Sequence, residues 1–144
     1  MPHWPVVTSS VIELQPVGWV SSSLTERKDA PRQPDEGAPP AALVFRPEMR
    51  PALRGLSPGD DIVVLTWLDR ADRHTLSVHP RGDPNRPATG VFATRSADRP
   101  NPVGLHLVRI AEVNDTTISV SHLEALDGTP ILDIKPVLGP VAER

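Results

Sequence analysis

The sequence predicts an all-β fold, a small antiparallel β-barrel with one short helix and long loops. Three observations lead there: short apolar runs with two-residue alternation, turn-forming residues between them about every ten positions, and helix signals in a single stretch. The chain has 18 prolines among 144 residues, far above ordinary usage. Together with nine glycines they stay short of the composition of disordered chains, so they mark loops around a core.

The first strand is expected over residues 11–20, where Pro16 and Gly18 argue for an edge position or a bulge. Ser21 to Pro40 is polar and proline-rich and reads as a linker or a functional loop. Ala41 to Phe45 is a short strand. Pro47 suits a first helical turn, Glu48 to Arg54 continue it and Gly55 ends it. The β-branched run Ile62 to Leu68 is expected as a central strand buried on both faces. Residues 69–87 form a charged, proline-broken excursion with a short strand near Leu76 and Val78. Gly90 to Thr94 is a further strand, followed by a loop from Arg95 to Pro102. Leu105, Leu107 and Val113 alternate roughly with His106 and Arg109, Asn114-Asp115 supply a turn, and Ile118, Val120 and Leu123 answer on the far side. This is an antiparallel hairpin, with His106 and His122 expected on its polar faces. Asp127-Gly128-Thr129-Pro130 turns the chain into a last strand, Ile131 to Ile134. The length suits one domain, 1–144, with a core over 11–138 and a loose tail at 139–144.

Much chemistry is excluded at this level. Without cysteine there are no disulfides, no thiol nucleophile and no cysteine zinc site. No Gly-x-Gly and no Gly-Lys-Ser/Thr occurs, so Rossmann-type dinucleotide loops and P-loops are absent. The five histidines show no His-Glu-x-x-His spacing, and no metal is expected. Gly-x-Ser-x-Gly and Ser-x-x-Lys are missing too, which argues against acyl transfer. Neither a signal peptide nor a membrane-length apolar run is visible, and a soluble cytoplasmic protein is expected. The net charge is −3, yet residues 79–110 hold five arginines against two aspartates, a local +3. Of the 15 basic residues 13 are arginine, which favours forked contacts to carboxylate or phosphate.

Three loops carry more specific side chains than connection demands: Ala30 to Pro34, Gly90 to Gly104, and Leu123 to Pro130. An arginine in a proline-flanked loop suits a carboxylate or phosphate, and Glu124, Asp127 and Asp133 suit proton or hydroxyl acceptance. Simpler roles fit the same residues. Asp127 caps a turn, Arg95 pairs with Asp98, Asp133 pairs with Lys135, and Pro31 to Pro34 is a solvated linker.

Taken together, Pro31-Arg32-Gln33-Pro34, the long run Gly90-Val91-Phe92-Ala93-Thr94-Arg95-Ser96-Ala97-Asp98-Arg99-Pro100-Asn101-Pro102-Val103-Gly104-Leu105, and Leu126-Asp127-Gly128-Thr129-Pro130-Ile131-Leu132-Asp133-Ile134-Lys135-Pro136 resemble the TsaA-like (TrmO) methyltransferases. The resemblance spans residues 14–138 with the motifs in the same order. It implies an S-adenosylmethionine-dependent methyltransferase on a β-barrel, acting as a homodimer on N6 of N6-threonylcarbamoyladenosine beside the tRNA anticodon. It also implies cofactor contacts at Pro31, Arg32, Gln33, Asp69, Arg70, Arg95 and Leu105, and at Leu123, Glu124, Ala125 and Leu126. Within that frame Arg32 or Arg95 forks onto the methionine carboxylate and backbone groups of Leu123 to Leu126 read the adenine edge. Asp127 or Asp133 is the expected proton acceptor, and Arg81, Arg86 and Arg99 are the candidates for tRNA phosphates.

Some positions depart from the family pattern. Leu24 and Val137 stand where many relatives carry tyrosine, Asp69-Arg70 stands where some carry His-Gln, and a short form without the extra carboxy-terminal domain of longer members is expected. Two other readings therefore stay open, a methyltransferase of the same fold acting on a small molecule and a non-catalytic S-adenosylmethionine-binding module.

Overall fold

The computed structural model describes residues 10–30 and 37–139. Its strands are β1 (Gly18–Ser21), β2 (Ala41–Phe45), β3 (Asp61–Trp67), β4 (Ser77–Val78), β5 (Thr89–Gly90), β6 (Val103–Asn114), β7 (Thr117–Val120) and β8 (Pro130–Pro136). Six of them close into an antiparallel barrel in the order β1-β2-β7-β6-β3-β8, while β4 and β5 pair by themselves in the excursion between β3 and β6. The interior is aliphatic. Leu43, Ile62, Val64, Ile110, Ile118, Val120, Leu123 and Ile131 are buried, each side chain contributing about 1.5–3 kcal/mol by leaving water. The all-β expectation holds, and several elements differ from it in detail.

The first strand begins only at Gly18. Pro16 has no N–H for a ladder, and Val11, Ile12 and Leu14 stay exposed. Nor is β1 an edge, because Gly18 lies opposite Phe45 on β2 and opposite Ile131 on β8. Glycine is required there by space: a Cβ would collide with the carbonyl oxygen of Val44 and come within 2.9 Å of Phe45 Cα. The expected helix is a 3-10 run, Pro47–Leu53, since Pro51 lies inside it and cannot donate to an α-helical ladder. The strand expected at 90–94 stops at Gly90 and turns into a 3-10 segment, Val91–Ala93. The Arg99 guanidinium donates to the carbonyls of Val91, Thr94 and Ser96 and gathers that backbone into a turn.

β3 is central in hydrogen bonding, flanked by β6 and β8, yet it is fully buried on one face only. A barrel has an inside and an outside, so Ile62, Val64 and Thr66 point to the core and their neighbours do not. The hairpin β6–β7 is present, its turn closed by Asp115 at φ 54. The faces of β6 are the reverse of the expectation. Gly104, His106, Val108 and Ile110 face inward, while Leu105 and Leu107 are about half exposed. The reason is register: Thr66 lies opposite Gly104, Val64 opposite His106 and Ile62 opposite Val108. His106 is therefore buried, whereas His122 is exposed, with its Nδ1 3.0 Å from the carbonyl of Ala38.

Candidate functional site

The excursion between β3 and β6 folds beside the end of the barrel and, with the β7–β8 connection, encloses a cleft of about 1070 Å³. Asp98 ties its walls together, since its Oδ1 accepts from Arg27 Nη2 (3.0 Å) and from the Asp72 amide (2.8 Å). Opposite them runs the segment after β7. Leu123 and Ala125 are driven into the core as apolar pegs, and this alternation leaves Glu124 and Leu126 half-buried on the cleft side.

The wall is rich in cations. Arg27, Arg70, Arg81, Arg86, Arg95 and Arg99 all line it, against Asp69, Asp98 and Glu124. They are not equivalent. Arg70 donates through Nη1 to the carbonyl of Thr25 (2.6 Å), and Arg99 is engaged with three loop carbonyls. Arg95 is exposed and has no hydrogen-bond or ion-pair partner among the described residues; the expected Arg95–Asp98 pair does not form, because Asp98 is taken by Arg27. Arg81 adopts a left-handed φ of 56, uncommon for a side-chain-bearing residue.

At the deep end sits a buried polar chain. His106 Nδ1 lies 2.6 Å from Glu124 Oε1 and its Nε2 lies 2.7 Å from Thr66 Oγ1, with the His106 side chain only 5% exposed and that of Glu124 14%. A carboxylate can only accept, so with Glu124 ionised the hydrogen is on Nδ1. Glu124 Oε2 is buried without a hydrogen-bond partner among the described residues. Space for the chain depends on Gly104, opposite Thr66. A Cβ there would collide with Thr66 Oγ1 and approach His106 Nε2 to 2.7 Å.

Of the residues expected from the sequence, Asp69, Arg70, Arg95, Leu105, Glu124, Ala125 and Leu126 line the cleft, as do Arg81, Arg86 and Arg99. Leu123 is instead fully buried in the core. Pro31, Arg32 and Gln33 lie outside the described residues, although Ala30 just before them lines the cleft. The two carboxylates expected to accept a proton do not line it. Asp127 is exposed and takes the Ser22 amide on Oδ1 (3.0 Å), and Asp133 is exposed and pairs with Lys135 (3.1 Å). Thr66 and His106 were not among the sequence candidates. Counting back by twos from Val108 and Ile110 puts His106 on the inward face, and that count was the available signal. Among the described residues no group of three or more His, Asp or Glu side chains is placed to hold a metal ion.

The profile of the tRNA-methyltransferase O N-terminal domain matches residues 19–141. The chain belongs to that TrmO family. A probable S-adenosyl-L-methionine-binding protein of Methanothermobacter thermautotrophicus is 44% identical over 125 residues, 87% of this chain and 89% of that protein. An S-adenosyl-L-methionine-binding protein of Archaeoglobus fulgidus is 40% identical over 85% of this chain and 86% of its own length. Among solved structures, TrmO from Pseudomonas aeruginosa superposes with a TM-score of 0.72 at 31% identity, covering 89% of this chain and 56% of that one. This TrmO-family chain thus matches over half the length of that bacterial protein and most of the length of the two archaeal ones.

Proposed function

We propose that the chain binds S-adenosylmethionine in the cleft and transfers its methyl group to N6 of N6-threonylcarbamoyladenosine in tRNA, in the cytoplasm, as a homodimer. The observation that carries this reading is the cleft itself. It combines an arginine and a buried carboxylate oxygen, each without a partner among the described residues, with the backbone segment Ala125–Leu126. The arginine and the backbone segment suit the donor's separate parts. Arg95 is fitted to hold its carboxylate, the Ala125–Leu126 backbone to meet the adenine edge, and Leu68, Val103 and Leu105 to shelter apolar surface. When bound, S-adenosylmethionine supplies a methyl group on a sulfonium, open to in-line displacement.

No covalent nucleophile is needed from the protein for such a transfer; its work is positioning and exclusion of water. Arg81 and Arg86 are suited to tRNA phosphates beside the donor, and Arg99 shares that edge while holding the loop. The outward row Val103, Leu105 and Leu107 on β6 lies in register with Trp67, Leu65 and Val63 on β3, an apolar face suited to a second copy. Leu105 belongs to both that face and the cleft, so the partner would border the site.

The test is incubation of the purified protein with labelled S-adenosylmethionine and tRNA lacking the modification, followed by nucleoside mass analysis. Methylated threonylcarbamoyladenosine is expected, with tRNA affinity falling steeply as salt rises. Donor binding without transfer to any tRNA would overturn the reading in favour of a binding module. Sedimentation of a monomer at micromolar concentration would overturn the dimer.

A further inference from the structure

We propose that Glu124 is the proton acceptor of the transfer and that His106 and Thr66 are positioning residues behind it, an assignment that rests on the methyltransferase reading above. The chain Thr66–His106–Glu124 runs from the barrel interior to the cleft wall, with contacts of 2.7 and 2.6 Å. One carboxylate oxygen of Glu124 is committed to His106. The other, Oε2, has no partner among the described residues, and leaving a buried acceptor unmet is unfavourable unless a ligand supplies the hydrogen. A group in the methyl-acceptor position that offers an N–H completes the site.

The acceptor chemistry asks for such a base. An N6 that also bears a carbamoyl group has its lone pair spread into the ring and the carbonyl, so it is a poor nucleophile until its proton leaves. As the new N–C bond forms from the nitrogen electron pair, the carbon–sulfur bonding pair stays on sulfur. The N–H proton passes to Glu124 Oε2, and the nitrogen keeps that bonding pair. His106 keeps its hydrogen bonds in either charge state. Neutral, it donates from Nδ1 to Glu124 and accepts at Nε2 from the Thr66 hydroxyl; charged, it donates at both nitrogens, because the hydroxyl also accepts. The arrangement therefore holds the carboxylate in one orientation before and after proton uptake. Asp69, Arg70, Arg95 and Arg99 are among the other charged groups lining the cleft, and among the described residues none of these four pairs with Glu124. Asp127 and Asp133 are held elsewhere by Ser22 and Lys135.

The experiment compares the full-length wild type with Glu124→Gln, Glu124→Asp, His106→Gln and Thr66→Val. It measures kcat and KM for tRNA, donor affinity by calorimetry, and the imidazole nitrogens by NMR in the ligand-free protein. Glu124→Gln is expected to keep donor affinity within about threefold and to lower kcat at least about a hundredfold, the range of general base catalysis. Glu124→Asp restores part of that loss. His106→Gln lowers kcat about tenfold with KM unmoved, and NMR shows the Nδ1-protonated tautomer in the wild type. Transfer by Glu124→Gln at near wild-type kcat, or an Nε2-protonated His106, overturns this assignment alone. Absence of transfer by the wild type overturns the methyltransferase reading, and this assignment with it.

Discussion

His106 and Arg109 lie three residues apart on β6, point to opposite faces of the barrel wall, and each holds a carboxylate. The outward pair is complete. Arg109 donates through Nε and Nη2 to the two oxygens of Asp61 (2.9 and 3.3 Å), with the side chains 65% and 44% exposed. The inward pair is buried and incomplete, since Glu124 Oε2 goes without a partner among the described residues. In water a forked ion pair is screened and adds little, whereas in the interior an unmet acceptor is a demand that a ligand can satisfy. The comparison teaches that the number of partners and the depth of a charge, more than its sign, separate surface scaffolding from chemistry.

The strongest way to break the inward half is Gly104→Ala. The added methyl has no room between Thr66 and His106, so the variant is expected to lose about 1–3 kcal/mol in urea unfolding, together with its transfer activity. Unchanged stability would show that the buried chain tolerates displacement. Next comes the contrast between two cleft arginines. Arg95→Ala should weaken donor binding about tenfold or more by calorimetry while leaving Tm unmoved, because its guanidinium has no partner among the described residues. Arg99→Ala should do the reverse and lower Tm, since three loop carbonyls lose their donor.

The smallest effect belongs to the outward half. The hydrogen bond from Arg109 holds the Asp61 carboxyl below its ordinary 3.8, and the one from Arg50 does the same to Asp115. A lowered folded-state value adds stability above the ordinary value and forfeits it as pH falls through the lowered one. Asp61→Asn is therefore expected to match the wild type in Tm at pH 7 only to within a small difference, and to lose less than the wild type below pH 3.8. A large loss at neutral pH would mean that the exposed pair carries more than its screening allows.

Legibility in the sequence differed between these regions for a physical reason. The turn at Asn114-Asp115, the inward Ile118 and Val120, and the loop motif around Arg95 depend on residues near one another in the chain, and local patterns report them. The faces of β6 were misread because both alternate sets include apolar residues: Leu105 and Leu107 on one, Val108 and Ile110 on the other. A single histidine among them looked like a surface residue. Likewise Gly90 to Thr94 carries strand-like residues, yet an arginine several positions later draws its carbonyls into a turn.

By itself the sequence determined the all-β class, the place of the main strands along the chain, the absence of thiol chemistry and of Rossmann-type or P-loops, and the family, because these follow from composition, alternation and contiguous motifs. Only the tertiary structure decided which face of β6 is inside and which carboxylates reach the cleft. Closing the barrel sets Thr66 opposite Gly104 and brings the β7–β8 connection against β6, joining residues 66, 106 and 124. Contacts across that distance are chosen by strand register and by the need to bury Leu123 and Ala125, and neither is written in any one stretch of the chain.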